Sequence, residues 1–228
     1  MHTFPDGRNL AVPARRPACA NCLRPQSHCL CAWIPALDSR TRVLVLQHPD
    51  EARHALNTGR LAVLGLNNAC LHVGRQFDAR LWRQPGCRAC LLFPEDGAEV
   101  LAAGGTGAPD AGPPRLLVVL DGTWRQARQM LAAHPGLAAL PRVTLPGTAA
   151  SQYRIRHAGL PQALSTIEAV ALALDALEAP ARYSALLAPF EQLVAGQIAA
   201  MGEQRYQRDH VQRAGSRALR HKNKPPAA

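Results

Sequence analysis

The run Leu116-Leu-Val-Val-Leu-Asp-Gly-Thr-Trp124 constrains this chain most. Five consecutive Leu and Val residues read as a buried strand. The run stops in an acid, a glycine, a hydroxyl and an indole, and helical spacing resumes over 124–133. Ligands in open α/β sheets bind beyond the carboxyl ends of strands, so Asp121, Thr123 and Trp124 stand where chemistry is usually placed. A structural account competes for the same residues. Thr123 followed by Gln126 fits a capping box, and Asp121 at a helix start serves the helix dipole as well as it serves catalysis. An aspartyl-phosphate mechanism is excluded by position. The nucleophilic acid of such Asp-x-Asp-Gly-Thr loops lies two residues before the second Asp, and Val119 occupies that place.

Upstream, 42–47 is a short apolar strand ending at Gln47-His-Pro49, with His48 read as a turn residue. The helical pattern over 51–67 is interrupted by Asn57-Thr-Gly-Arg60. A glycine there costs about 1 kcal/mol relative to alanine, so the break marks a new helix start or a backbone close to a ligand. Asn57, Thr58 and Arg60 become binding candidates. Strands are predicted at 70–74 and 89–93, the latter running into Phe93-Pro-Glu-Asp-Gly97, and the Gly- and Pro-rich stretch 102–114 reads as a surface loop. His134-Pro-Gly136 is a helix stop, and 142–145 a further strand. Ser151-Gln-Tyr-Arg-Ile-Arg156 places an aromatic between arginines. That mixture grips phosphates while stacking a base, and it equally describes an edge strand with Arg154 and Arg156 in solvent. Ser165 and Glu168 match a capping box that opens an amphipathic helix, leaving Thr166 free for a ligand, and 184–200 reads as a last core helix.

Four cysteines, Cys19, Cys22, Cys29 and Cys31, fall within thirteen residues on a turn-rich segment. They fit a closed tetrahedral zinc site of structural type; reduced or redox-active thiols are the competing reading. Cys87 and Cys90 form a second Cys-x-x-Cys, read as unligated because the first quartet is already complete. His28 is a conceivable substitute ligand.

The chain of 228 residues suits one α/β domain with small appendages. Lys and Arg number 26 against 16 Asp and Glu, a net charge of +10. That field attracts polyanions, nucleic acid above all. Only Lys222 and Lys224 are lysines, and arginine binds phosphate bidentately. No apolar run reaches the length of about 20 residues a spanning helix needs, and the N-terminus lacks a secretory pattern, so a cytoplasmic protein is expected. The expected organisation is a lead-in over 1–18, a zinc-binding segment over 19–35, a catalytic domain over 36–201 and a basic tail over 202–228. The tail holds seven Arg or Lys against Glu203 and Asp209.

Taken together, the Cys19-x2-Cys22-x6-Cys29-x-Cys31 spacing, Gln47-His-Pro49, Asn57-Thr-Gly-Arg60, Leu92-Phe-Pro94, Asp121-Gly-Thr-Trp124, Ser151-x-Tyr153-x-Ile-Arg156 and Ser165-Thr-x-Glu168 are specific. In this order the chain resembles the DTW-domain proteins, the tRNA-uridine aminocarboxypropyltransferases, over roughly 19–178. The resemblance implies a SPOUT-like, mostly parallel α/β sheet with a C-terminal knot. It implies transfer of the 3-amino-3-carboxypropyl group of S-adenosylmethionine to N3 of a tRNA uridine, releasing methylthioadenosine. On that match, Asp121 is the general base and Trp124 faces the sulfonium. Thr58, Leu92, Phe93, Pro94, Leu120, Thr123 and Thr166 hold the co-substrate, and Arg60, Tyr153, Arg154 and Arg156 hold tRNA. Two rivals share parts of this pattern: a SPOUT-like RNA methyltransferase, and a non-enzymatic zinc-bearing RNA-binding module. The tRNA target and the oligomeric state, monomer or homodimer, are not written in the sequence.

Overall fold

Alternation along the two central strands decides which helices cover which face. The computed structural model describes residues 17–54, 56–101, 112–146 and 164–202. β1 (Arg42–Gln47) and β5 (Arg115–Asp121) are almost entirely buried, as expected of strands covered on both sides. Val43, Val45, Leu117 and Val119 point to one face, and Leu44, Leu46, Leu116 and Val118 to the other. Each fully buried Leu or Val contributes about 1.5–3 kcal/mol of transfer free energy, so slipping either strand by one residue is strongly disfavoured.

The strands β1, β2 (Ala69–Val73), β3 (Arg88–Leu92), β4 (Glu99–Val100), β5 and β6 (Arg142–Thr144) form one sheet in the order β2-β1-β5-β3-β6-β4. Every pairing is parallel. The first face carries α2 (Gly59–Leu64), α5 (Thr166–Leu177) and α6 (Ala188–Met201), through Leu61, Ile167, Val170, Leu174, Phe190 and Leu193. The second carries Trp82 with α3 (Trp124–Ala133) and α4 (Pro135–Ala138), through Ala127, Leu131 and Leu137. A short α1 (Pro49–Ala52) follows β1.

The chain leaves β1 toward β2 and leaves β5 toward β6, on opposite sides of the sheet. β1 and β5 are neighbours, so the crevice between their carboxyl ends is a topological switch point. Gln47 and Asp121, the last residues of these strands, are register partners there.

The expected strands at 42–47, 70–74, 89–93, 116–121 and 142–145 all appear, as does the break at 57–60. The helix expected over 184–200 forms as a 3₁₀ turn, Ser184–Leu187, continuing into α6. His134-Pro-Gly136 ends α3 and also starts α4, because Pro135 occupies the first turn, where its missing N–H costs nothing. The two-residue edge strand β4 has no counterpart in the sequence reading. The expected C-terminal knot lies outside what the described residues show, as do residues 147–163, most of the lead-in and most of the tail. No described helix is long and apolar enough to cross a membrane.

Candidate active site and metal centre

Parity places Asp121 on the same face as Leu117 and Val119, toward α2 and α5. Its side chain is buried, with 3 % exposure. Oδ2 accepts from Gln47 Nε2 at 2.5 Å, and Oδ1 accepts from Thr166 Oγ1 at 2.5 Å. Gln47 is fully buried, and its Nε2 also donates to Asn57 Oδ1 at 3.1 Å. Asn57 Oδ1 additionally accepts from Arg60 N, which fastens the first turn of α2, and Asn57 Nδ2 donates to the Glu51 carbonyl. A continuous chain of hydrogen bonds thus links α1, α2, β1, β5 and α5 through one carboxylate.

This convergence needs α2 to approach β5 closely. A Cβ on Gly59 would lie 2.9 Å from Asp121 Cγ and 3.3 Å from Gln47 Nε2. The glycine that breaks the helical pattern is therefore there for the approach of backbone to carboxylate. Gly122 has a parallel reason: a Cβ there would meet Gln126 Oε1 at 3.0 Å and His48 Cβ at 3.4 Å.

Thr123 caps α3. Its Oγ1 accepts from Gln126 N, and Gln126 Oε1 accepts from Thr123 N at 2.7 Å. Ser165 and Glu168 form the equivalent box on α5. The Thr166 hydroxyl, expected to be free for a ligand, donates to Asp121 instead. His48 caps α1 through Nδ1, which accepts from Asp50 N, in keeping with a turn role.

Trp124 starts α3 and stays 42 % exposed, its ring edge-on to Phe93 at 5.6 Å between centroids. Phe93 follows β3 on the α3 face, and the Arg142 guanidinium sits 5.7 Å from its ring centroid. Leu92 packs toward the α5 face, beside Val119 in register, and Leu120 packs toward the α3 face. The rim therefore splits. Asp121, Thr166, Gly59 and Leu92 belong to one face; Trp124, Phe93, Thr123 and Leu120 to the other. Thr58 is buried at the start of α2 and Arg60 half-buried one step into it; Pro94 is exposed. Ser151, Tyr153, Arg154 and Arg156 lie outside the described residues.

Sequence reading gave Gln47 no role of its own. The available signal was a polar residue closing an apolar strand with the same parity as Asp121, since a buried amide demands partners.

The cysteine segment is built by two tight turns. Leu23 N donates to the Cys19 carbonyl and Cys19 N to that of Arg24, with Leu23 at a φ of 58°. The sulfurs of Cys19, Cys22, Cys29 and Cys31 lie within 4.8 Å of one another. Cys19 Sγ and Cys31 Sγ are 3.6 Å apart, and Cys22 Sγ and Cys29 Sγ 3.8 Å. Tetrahedral ligation at about 2.3 Å per Zn–S bond requires sulfurs about 3.8 Å apart, so the quartet is sized for such an ion. Backbone N–H groups of Cys22 and Asn21 hold the Cys19 thiol down at about 6, while burial among sulfurs pushes Cys31 up to about 12. His28 Nδ1 pairs with Ser27 Oγ and takes no part. Cys90 is buried in β3 as a core residue, and among the described residues the metal-type cluster is the Cys19 quartet.

A parallel sheet with helices on both faces and a buried carboxylate at its switch point defines an α/β protein of the ligand-binding or catalytic kind. A family model described as the DTW domain matches residues 16–198, and the chain belongs to the DTW-domain family. It is similar to tRNA-uridine aminocarboxypropyltransferase 2 of Macaca fascicularis, 32 % identical over 213 residues, covering 88 % of this chain and 70 % of the relative. The same-named protein of Mus musculus is 32 % identical over 214 residues, with the same coverage. That of Drosophila melanogaster is 31 % identical over 202 residues, covering 82 % and 77 %. No solved structure matches.

Proposed function

We propose that this protein transfers the 3-amino-3-carboxypropyl group of S-adenosylmethionine to N3 of a tRNA uridine, releasing 5′-methylthioadenosine. The observation that carries this reading is the Asp121 carboxylate, fixed on both oxygens at the switch point, three residues before an exposed indole. The names of the similar mouse, macaque and fly proteins supply the reaction.

The rim has the right chemistry for the co-substrate. Half-buried Leu92 and Leu120 suit an adenosyl moiety, and the Trp124 face suits a cation. When bound, S-adenosylmethionine supplies an electrophilic carbon next to a sulfonium, and sulfur keeps the electron pair as the C–S bond breaks and the N3–C bond forms. Trp124 faces the positive sulfur and holds the methyl carbon away from the nucleophile. That orientation chooses between methyl and aminocarboxypropyl transfer. Asp121 accepts the N3 proton. Thr58 and backbone groups of Leu92, Phe93, Pro94 and Thr123 hold the nucleoside and amino-acid ends, while Thr166 holds the Asp121 carboxylate in place. Arg60, Tyr153, Arg154 and Arg156 grip tRNA phosphates and bases.

The quartet of cysteines holds a structural Zn²⁺, because four thiolates leave no open coordination position for substrate. A SPOUT-like C-terminal knot belongs to the same reading, as does action on tRNA in the cytoplasm. By-product analysis tests the chemistry. Methylthioadenosine released from S-adenosylmethionine in the presence of tRNA supports the transferase, and S-adenosylhomocysteine would establish a methyltransferase instead.

A further inference from the structure

A cavity of about 590 Å³ opens between the cysteine segment, the residues joining α1 to α2, and α6. The cysteine segment contributes Arg24, His28 and Trp33 to its wall, and the opposite side contributes Arg53, His54 and Arg60. None of the described lining residues is acidic. The Arg53 and Arg60 guanidinium groups make no hydrogen bond or ion pair among the described residues, and Arg53 is exposed. Trp33 leaves 44 % of its surface in solvent although it belongs to a short turn that packs on α6. The Arg53 and Arg60 guanidinium groups beside an open indole, with no carboxylate among the described lining residues, form a surface suited to phosphates and an unstacked base.

The cavity also connects to the reaction site. Asn57 lines it, and the Asn57 carbonyl accepts from Arg24 Nη2 at 3.2 Å. The same asparagine bonds Gln47, which bonds Asp121. Two side chains, Asn57 and Gln47, therefore form the hydrogen-bonded path from the cavity to the buried carboxylate.

We infer that this groove binds a single-stranded stretch of the RNA substrate next to the target uridine, with a base on Trp33 and phosphates on Arg53 and Arg60. The metal centre then has a function beyond stability: it holds Trp33 and Arg24 as one wall of the RNA path. The inference rests on the tRNA-transferase reading for its ligand and goes beyond it in assigning the cysteine segment to substrate recognition.

The test uses the full-length, metal-loaded protein and an unmodified tRNA transcript, with dissociation constants read by fluorescence anisotropy across salt concentrations. Trp33→Ala and Arg53→Glu each weaken tRNA binding about tenfold or more, and Trp33→Phe restores most of the loss. Arg53→Ala lowers the salt slope by about one, and S-adenosylmethionine affinity by calorimetry stays at the wild-type value. Exposed Arg53 keeps the test decisive should Trp33→Ala lose metal or stability. Dissociation constants within about twofold of wild type for both Arg53→Glu and Trp33→Ala, at full metal content, overturn the inference. The two readings fail separately. Wild-type protein that binds tRNA through this groove yet modifies no uridine removes the transferase reading alone, and modification with groove variants binding normally removes the groove alone.

Discussion

Gln47 and Asp121 face one another as register partners at the ends of β1 and β5, Gln47 Nε2 donating to Asp121 Oδ2 at 2.5 Å. Both side chains point to the α2 and α5 face, so the amide spans from the carboxylate to Asn57 and ties α2 to the sheet. Truncation by Gln47→Ala leaves a buried carboxylate oxygen and the Asn57 acceptor without this donor. A hydrogen bond to a charged group contributes about 1.5–3 kcal/mol, and thermal or urea unfolding is predicted to show a loss of that size. Gln47→Glu sets two carboxylates against each other, which raises the apparent pKa of the pair. Its stability is therefore greatest at low pH and falls as pH rises through that raised value, the reverse of ordinary acid denaturation. A variant equally stable at pH 5 and pH 8 contradicts this.

Gly59 is a position where a single methyl group would meet the Asp121 carboxylate. Gly59→Ala brings a Cβ within 2.9 Å of Asp121 Cγ, so either α2 or the carboxylate moves. The predicted cost is about 1–3 kcal/mol in stability, from overpacking. Displacement of a reacting group by about 1 Å costs up to about a hundredfold, so methylthioadenosine formation falls further than stability does. Wild-type rates in Gly59→Ala would show that the close approach has no bearing on the chemistry.

Metal analysis separates the two Cys-x-x-Cys pairs. The purified protein is predicted to carry about one zinc ion, lost in Cys22→Ser and in Cys29→Ser and retained in Cys87→Ser, because only the first quartet has its sulfurs gathered. Loss of zinc from Cys87→Ser, read by elemental analysis, would assign the second pair to a site of its own.

Trp124 offers an open aromatic face braced edge-on by Phe93. Cation–π attraction of about 0.5–2 kcal/mol predicts that Trp124→Ala weakens S-adenosylmethionine binding about 2- to 30-fold, with Trp124→Phe in between. The uncharged product methylthioadenosine loses less affinity in both variants. Equal losses for the charged and uncharged ligands, measured by calorimetry, would reduce Trp124 to packing.

What the sequence discloses follows from how local the physics is. β1 and β5 are legible because strands covered on both faces are written as unbroken Val and Leu runs. The capping boxes at Thr123 and Ser165 are legible because a hydroxyl and an amide or carboxyl three residues on need no tertiary information. β4 is illegible because two exposed edge residues, Glu99 and Val100, bury nothing that would leave a pattern. The role of Gln47 is hidden for another reason: its partner is 74 residues away, and only strand order and register bring the two together. Thr166 is a similar case, its hydroxyl claimed by a carboxylate from another element. The Asn57-Thr-Gly-Arg60 break was visible as a break, but its cause, the approach to Asp121, requires the packed structure.

The most direct measurement of the central claim is to incubate the protein with S-adenosylmethionine and unmodified tRNA, digest the RNA, and weigh the nucleosides. The account predicts a uridine carrying the aminocarboxypropyl group, an equal amount of methylthioadenosine, and a loss of about 10²–10⁴ in rate for a folded Asp121→Asn variant. A methylated nucleoside with S-adenosylhomocysteine, an unaltered tRNA, or full activity in Asp121→Asn would contradict it.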